Sequence, residues 1–166
     1  VASGRALILT GDRDMYQCVS DQVSVMYLKQ GTSGFEEVDA AEVKRRYGVE
    51  PALVPDFIAL RGDPSDGLPG APGVGPKKAA ELLLKHHSLD RAIAHAHEES
   101  PRVRSALIDN AADLAHFREI ATLRPIEVPR PPDRATDLEH GAQAARRYGM
   151  NRLAERLEKA ERVTDL

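Results

Sequence analysis

Four aspartates stand in two close couples, Asp12 with Asp14 and Asp63 with Asp66. The second couple runs into a glycine- and proline-rich stretch that ends in the pattern Gly73-x-Gly75-x-Lys77-x-Ala79. Carboxylate oxygens are hard ligands of the kind Mg²⁺ takes. Forced together without a cation, they repel and raise each other's pKa. Gly73 and Gly75 let backbone N–H groups approach an anion at a helix N-terminus without side-chain obstruction. Chemistry for a metal and chemistry for a phosphate therefore lie side by side.

The elements that must hold these groups are legible around them. A helix is predicted from Ala52 to Leu60 and another from Pro76 to about His87, with Pro76 at a first-turn position where its missing N–H costs nothing. Lys77 and Lys78 fall in that first turn, where the helix dipole favours an anion. Lysines there make sense if a phosphate is the third party. The stretch from about residue 60 to 87 thus reads as a helix-hairpin-helix grip on a DNA backbone, with Gly70, Gly73, Val74, Gly75, Lys77 and Lys78 as contacts. A plain turn between packed helices is the blander account. The joint spacing of glycines, lysine and Ala79 before Leu82, Leu83 and Leu84 weighs against it.

Arg5 to Thr10 is predicted as a short strand buried on both faces. Residues two apart in extended chain point the same way, so Asp12 and Asp14 should leave its C-terminal end together, with Arg13 opposite and no lysine adjacent. In open α/β sheets ligands bind at that edge. The alternative makes Asp14 the cap of a helix from Met15 and Asp12 a solvated loop residue. Val23 to Leu28 and Phe35 to Val38 read as a hairpin turning at Gly31-Thr32-Ser33-Gly34. Asp39 should cap a helix to about Tyr47, with Glu42 in the capping-box position and Gly48 at the stop. Pro55 predicts two short helices or a kinked one between Pro51 and Leu60. Further helices are expected from Ser88 to about Glu98, Arg102 to Asp109, Asn110 to Thr122, Asp137 to Tyr148 and Asn151 to Glu161. A proline-rich connector, Pro125 to Pro132, carries a strandlike centre at Ile126 to Val128. His86, His87, His95 and His97 read as a solvated face, since zinc sites need matched helical spacing and commonly cysteine.

The 166 residues suffice for one domain with a core, or for one and part of another. At 42% hydrophobic and 30% charged the chain is globular in composition, with no apolar run of the ~18 residues a membrane span needs and no signal peptide. A single cysteine, Cys18, is compatible with a reducing cytoplasm. A net charge of −3 excludes a uniformly basic nucleic-acid binder, so contact with DNA must be local. The start at Val1 rather than Met reads as a missing N-terminus.

Asp63 and Asp66, three apart, share a face on a helical turn. Both couples together could hold two Mg²⁺ or Mn²⁺ ions, which hydrolyse phosphodiesters when they lie about 3.5–4 Å apart. The segments Thr10 to Asp21, Ala59 to Gly70 and Gly73 to Ala80 resemble the bacterial 5′-3′ exonuclease family, kin to flap endonucleases. A looser similarity covers Arg146 to Leu153. The resemblance implies an α/β fold: residues 1–50 as the C-terminal part of a PIN-like nuclease core, and 51–166 as a helical region bearing the hairpin. It implies metal-site roles for Asp12, Asp14, Asp63 and Asp66, as ligands or holders of outer water, and a K⁺ among the hairpin carbonyls. It further implies DNA with a 5′ flap, nick or end as substrate, and a monomer in the cytoplasm at the nucleoid. Gly67 departs from the asparagine expected there. The family's first acidic strand, helical arch and acidic helix would precede Val1, so weak or no activity is expected of these residues alone. Two rivals remain. One is a non-catalytic DNA-binding module. The other is an aspartate-nucleophile phosphatase, disfavoured by Tyr16 where threonine or valine is expected.

Overall fold

The computed structural model describes residues 4–28, 34–129, 132 and 135–164, with side chains through residue 160. Three strands, β1 (Ala6–Thr10), β2 (Val23–Leu28) and β3 (Phe35–Val38), form one sheet in that order. β1 runs parallel to β2, from Ala6 beside Val23 to Thr10 beside Tyr27, and β3 returns antiparallel to β2. The hairpin is as expected, though residues 31–33 of its turn lie outside the described residues. β1 corrects its expectation: Leu7 and Leu9 are 55% and 64% exposed. Among the described residues it pairs on one side only, and no layer covers the face that carries those leucines.

The opposite face packs on helices. α1 (Ala40–Tyr47) begins where the Asp39 carboxylate accepts from the Glu42 N–H at 2.8 Å and stops at Gly48, whose φ is +74°. Glu42 does not reach back as a capping box would, because its oxygens are taken by Arg45 and Arg46 at 2.6–2.7 Å. The chain around Pro55 resolves into a 3₁₀ turn, Pro51–Leu53, followed by α2 (Val54–Arg61) with the proline in its first turn. α2 is buried from Val54 through Leu60. Its Val54 and Ile58 join the core beneath the sheet, with Tyr16, Val25 and Val38. Its Phe57 and Leu60 join a second core with Leu82, Leu83, Leu107 and Leu114.

That second core is built by α3 (Pro76–His86), α4 (Leu89–Ala94), α5 (Pro101–Asp109) and α6 (Ala111–Ala121). Ser88 caps α4 as expected, but the helix stops at His95 and a 3₁₀ turn, Ala96–Glu98, follows. Of the histidines, His87 and His97 are exposed as a solvated face requires, and His95 is half-buried. His86 is buried, lies 3.3 Å from a Glu99 oxygen and stacks on His95, because helix packing turns the last turn of α3 inward.

The chain forms two compact units, the first ending at Pro125, and within that first unit α2 serves both cores. The second unit, from Ile126, holds α7 (Leu138–Arg147) and α8 (Asn151–Thr164). They close on Ala142, Ala145 and Ala154, with Arg146 bidentate on Glu158. Ile126 to Val128 forms no strand, and Ile126 and Val128 are exposed.

Candidate metal centre

Two segments bring the acids together. After β1 the chain curls at once: the Thr10 hydroxyl accepts from the Asp12 N–H, and the Asp12 carboxylate accepts from the Asp14 N–H, both at 3.0 Å. A 3₁₀ turn, Asp14–Cys18, follows. Asp12 and Asp14 therefore do not leave an extended chain in parallel. Asp12 stays exposed at the rim and caps the turn, while Asp14 is carried inward. Arg13 is not opposite either. It lines the same cavity, donating to the Tyr27 hydroxyl at 3.3 Å.

The second segment hangs from the end of α2. Asp63 and Leu68 exchange backbone hydrogen bonds of 2.8 and 2.9 Å, and Ala71 N–H donates to Leu60 C=O at 2.9 Å. The loop thus folds back on the helix. Within it Asp63 caps a 3₁₀ turn, Pro64–Asp66, accepting from the Ser65 N–H. Gly67, at φ +71°, occupies a left-handed position that glycine and asparagine both tolerate.

Carboxylate oxygens of Asp14, Asp63 and Asp66 lie within 4.8 Å of one another, and Asp12 stands outside that group. The three line a cavity of about 750 Å³ together with Asp12, Arg13, Tyr27 and Arg61. Burial, and then the charges of Asp12, Asp66 and Asp63, push the Asp14 carboxyl up to about 6. Burial also raises Asp63, but the Ser65 hydrogen bonds and the Arg61 cation outweigh it and hold that group below its usual range. Three converging carboxylates, one of whose ionisation is opposed by burial and by its acidic neighbours, fit a hard divalent cation that would offset that repulsion.

Asp14 gives a pH dependence whose sign is set by that shift. Its folded value exceeds the ordinary ~3.9 of an unfolded aspartate, so the stability it contributes is complete below pH ~4 and is lost as pH rises through about 6. In chelator, Asp14→Asn is expected to match the unsubstituted chain at pH 4 and to melt ~2–4 °C higher at pH 7.5, a shift that water on the open side keeps small. Calorimetric melting at both pH values checks it.

Sequence reasoning missed two supports. Gln17 donates to the carbonyls of Asp14 and Ala121 and accepts from the Leu123 N–H, all at 2.9 Å, tying the Asp14 turn to the end of α6. Arg61 reaches Asp63 at 3.0 Å and lies over the rings of Phe57 and Tyr47, supplying the cation that the sequence seemed to lack. A polar side chain behind the acidic turn, and an arginine two residues before Asp63, were the available signals.

The hairpin residues separate. Gly70 is buried at φ +70° against the Arg61 and Gly62 backbone, and Val74 is buried. Gly73 and Gly75 are exposed, Gly75 being the residue before α3. Lys77 is exposed without an ion pair among the described residues, whereas Lys78 pairs with Glu81 at 2.8 Å.

Residues 49–141, which contain this hairpin, match the family model described as 5′-3′ exonuclease, C-terminal SAM fold. The chain belongs to the 5′-3′ exonuclease family. It is 42% identical over 130 residues to the DNA polymerase I of Mycobacterium tuberculosis, covering 78% of this chain and 14% of that one. It is 38% identical over 172 residues to a 5′-3′ exonuclease of the same organism, covering 93% of this chain and 54% of the relative. A solved structure titled as divalent metal ions (zinc) bound to T5 5′-exonuclease superposes with a TM-score of 0.63 at 15% identity, over 70% of this chain and 42% of that one. At that identity the likeness shows the fold: a three-stranded α/β sheet followed by a mostly helical region. The chain spans about half of the exonuclease relative and a small part of the polymerase. Among the described residues no helix is long and apolar enough to cross a membrane.

Proposed function

We propose that this chain is the part of a divalent-metal-dependent 5′-3′ DNA nuclease that holds one side of the metal centre and grips the duplex, acting at 5′ ends or flaps. The observation that carries the reading is the convergence of Asp14 with Asp63 and Asp66 within 4.8 Å, the latter two on a loop that continues into the hairpin. The sheet up to about residue 50 then belongs to the PIN-like core, and the family match beginning at residue 49 supports that division.

Asp14, Asp63 and Asp66 would hold Mg²⁺, with Mn²⁺ able to substitute, and Asp12 at the rim would hold an outer water. When bound, such ions acidify water and stabilise the leaving oxygen of a phosphodiester. The chain's own residues prepare this. Ser65 and Arg61 fix the orientation of Asp63, and Gln17 fixes the backbone of Asp14. Gly73, Val74, Gly75, Lys77 and Lys78 would position the sugar-phosphate chain, with Gly70 setting the loop's shape and a K⁺ held among its carbonyls.

The test is cleavage of a 5′-labelled flapped duplex by a protein spanning the relatives' length, in Mg²⁺, Mn²⁺ and chelator. Short 5′ products in either ion and none in chelator are expected. Undiminished cleavage in chelator, or none with metal, overturns the reading.

A further inference from the structure

The hairpin carries one feature that its own sequence does not contain. Gly73 stands at φ +77°, and a Cβ built on it would lie 2.9 Å from the Nε and Nη2 atoms of Arg102 and 3.1 Å from its Cζ. The guanidinium plane of a residue in the first turn of α5 thus rests directly on the glycine of the grip. We propose that Arg102 is a phosphate contact of the duplex-binding surface, making the grip bipartite: Lys77 from α3 and Arg102 from α5. This rests on the reading of the hairpin as a DNA-backbone clamp.

Three observations favour a phosphate over a role internal to the fold. Arg102 is exposed and forms no hydrogen bond or ion pair with any described residue. Most other arginines of the same unit are engaged, among them Arg46 with Glu36 and Glu42, Arg61 with Asp63, Arg104 with the His97 carbonyl, and Arg118 with Asp90. Arg91, away from the hairpin's glycine, also has no side-chain partner among the described residues. The cation also lines an open cavity of about 260 Å³ with Pro72, Gly73 and Ser105. Asp109 lines that cavity too, outside ion-pairing distance of the guanidinium. Arginine presents a fork of donors matched to phosphate oxygens. Seating it on a glycine brings that fork against backbone that a bulkier residue would hold away.

The test measures binding of a blunt 20-base-pair duplex, without flap or divalent ion, by the 166-residue chain across a salt series. Arg102→Ala is expected to weaken binding several-fold and to lower the salt slope by about one, as Lys77→Ala does. Arg102→Lys, which keeps the charge, should restore the slope. Melting of each variant checks that the fold is kept. If Lys77→Ala weakens binding while Arg102→Ala leaves affinity and slope unchanged, the Arg102 assignment fails and the clamp reading stands. If neither substitution changes binding, or the unsubstituted chain binds no duplex, the clamp reading fails and takes this assignment with it.

Discussion

Alanine at Asp14 or at Asp66 is expected to lower Mg²⁺-dependent flap cleavage at least about a hundredfold in a protein spanning the relatives' length. Changes that merely surround a metal site commonly cost 10–100-fold, and a lost oxygen ligand should exceed that range. Among the described residues, neither carboxylate is committed to a side-chain donor, unlike Asp63, which accepts from the Ser65 hydroxyl and from Arg61. Both are therefore open to an ion. Asp12→Ala is expected to cost only about tenfold, because Asp12 caps a turn at the rim and lies outside the convergent group. Steady-state cleavage of the three variants at saturating Mg²⁺ decides this. An Asp12 effect as large as that of Asp14 would mean that the group was misassigned.

Alanine at Gly70 is expected to cost on the order of 4 kcal/mol of folding stability, among the largest single-residue effects in ordinary domains. Its Cβ would fall 2.4 Å from the Gly62 nitrogen and 2.6 Å from the Arg61 carbonyl carbon, so backbone must move, and its φ is +70°. Two other glycines calibrate the measurement. Gly67→Ala has the same sign of φ but open space around it, and should cost about 1 kcal/mol. Gly75→Ala has φ −83° and no atom within 4 Å, and should change stability by less than about 0.5 kcal/mol. Urea unfolding of the three variants gives the series. Equal losses at Gly70 and Gly75 would show that the loop relaxes around an added methyl.

What could be read from sequence was what local rules govern. Asp39 and Gly48 bracket α1, Ser88 opens α4, and Pro76 opens α3, because caps and prolines act within one turn of their own position. The acidic couples were legible as chemistry, and Asp63 with Asp66 also as geometry, since a turn of three residues fixes their common face. Asp12 and Asp14 were not. Period-two reasoning assumes extended chain, and the Thr10 and Asp12 side chains curl it instead. The exposure of Leu7 and Leu9 depends on what covers β1, which an apolar run cannot report. Gln17, and the seat of Arg102 on Gly73, stayed hidden for a related reason: each meets a group placed by tertiary folding, and in Gln17 the partners lie 104 and 106 residues away.

The Gln17 amide gives the acidic turn and the tail of α6 a common fate. If an ion draws the Asp14 turn into one conformation, the carbonyl of Ala121 and the N–H of Leu123 are steadied with it, and fraying there must loosen the ion by the same free energy. Cation affinity would then also gauge how well a helix end remote in sequence holds together.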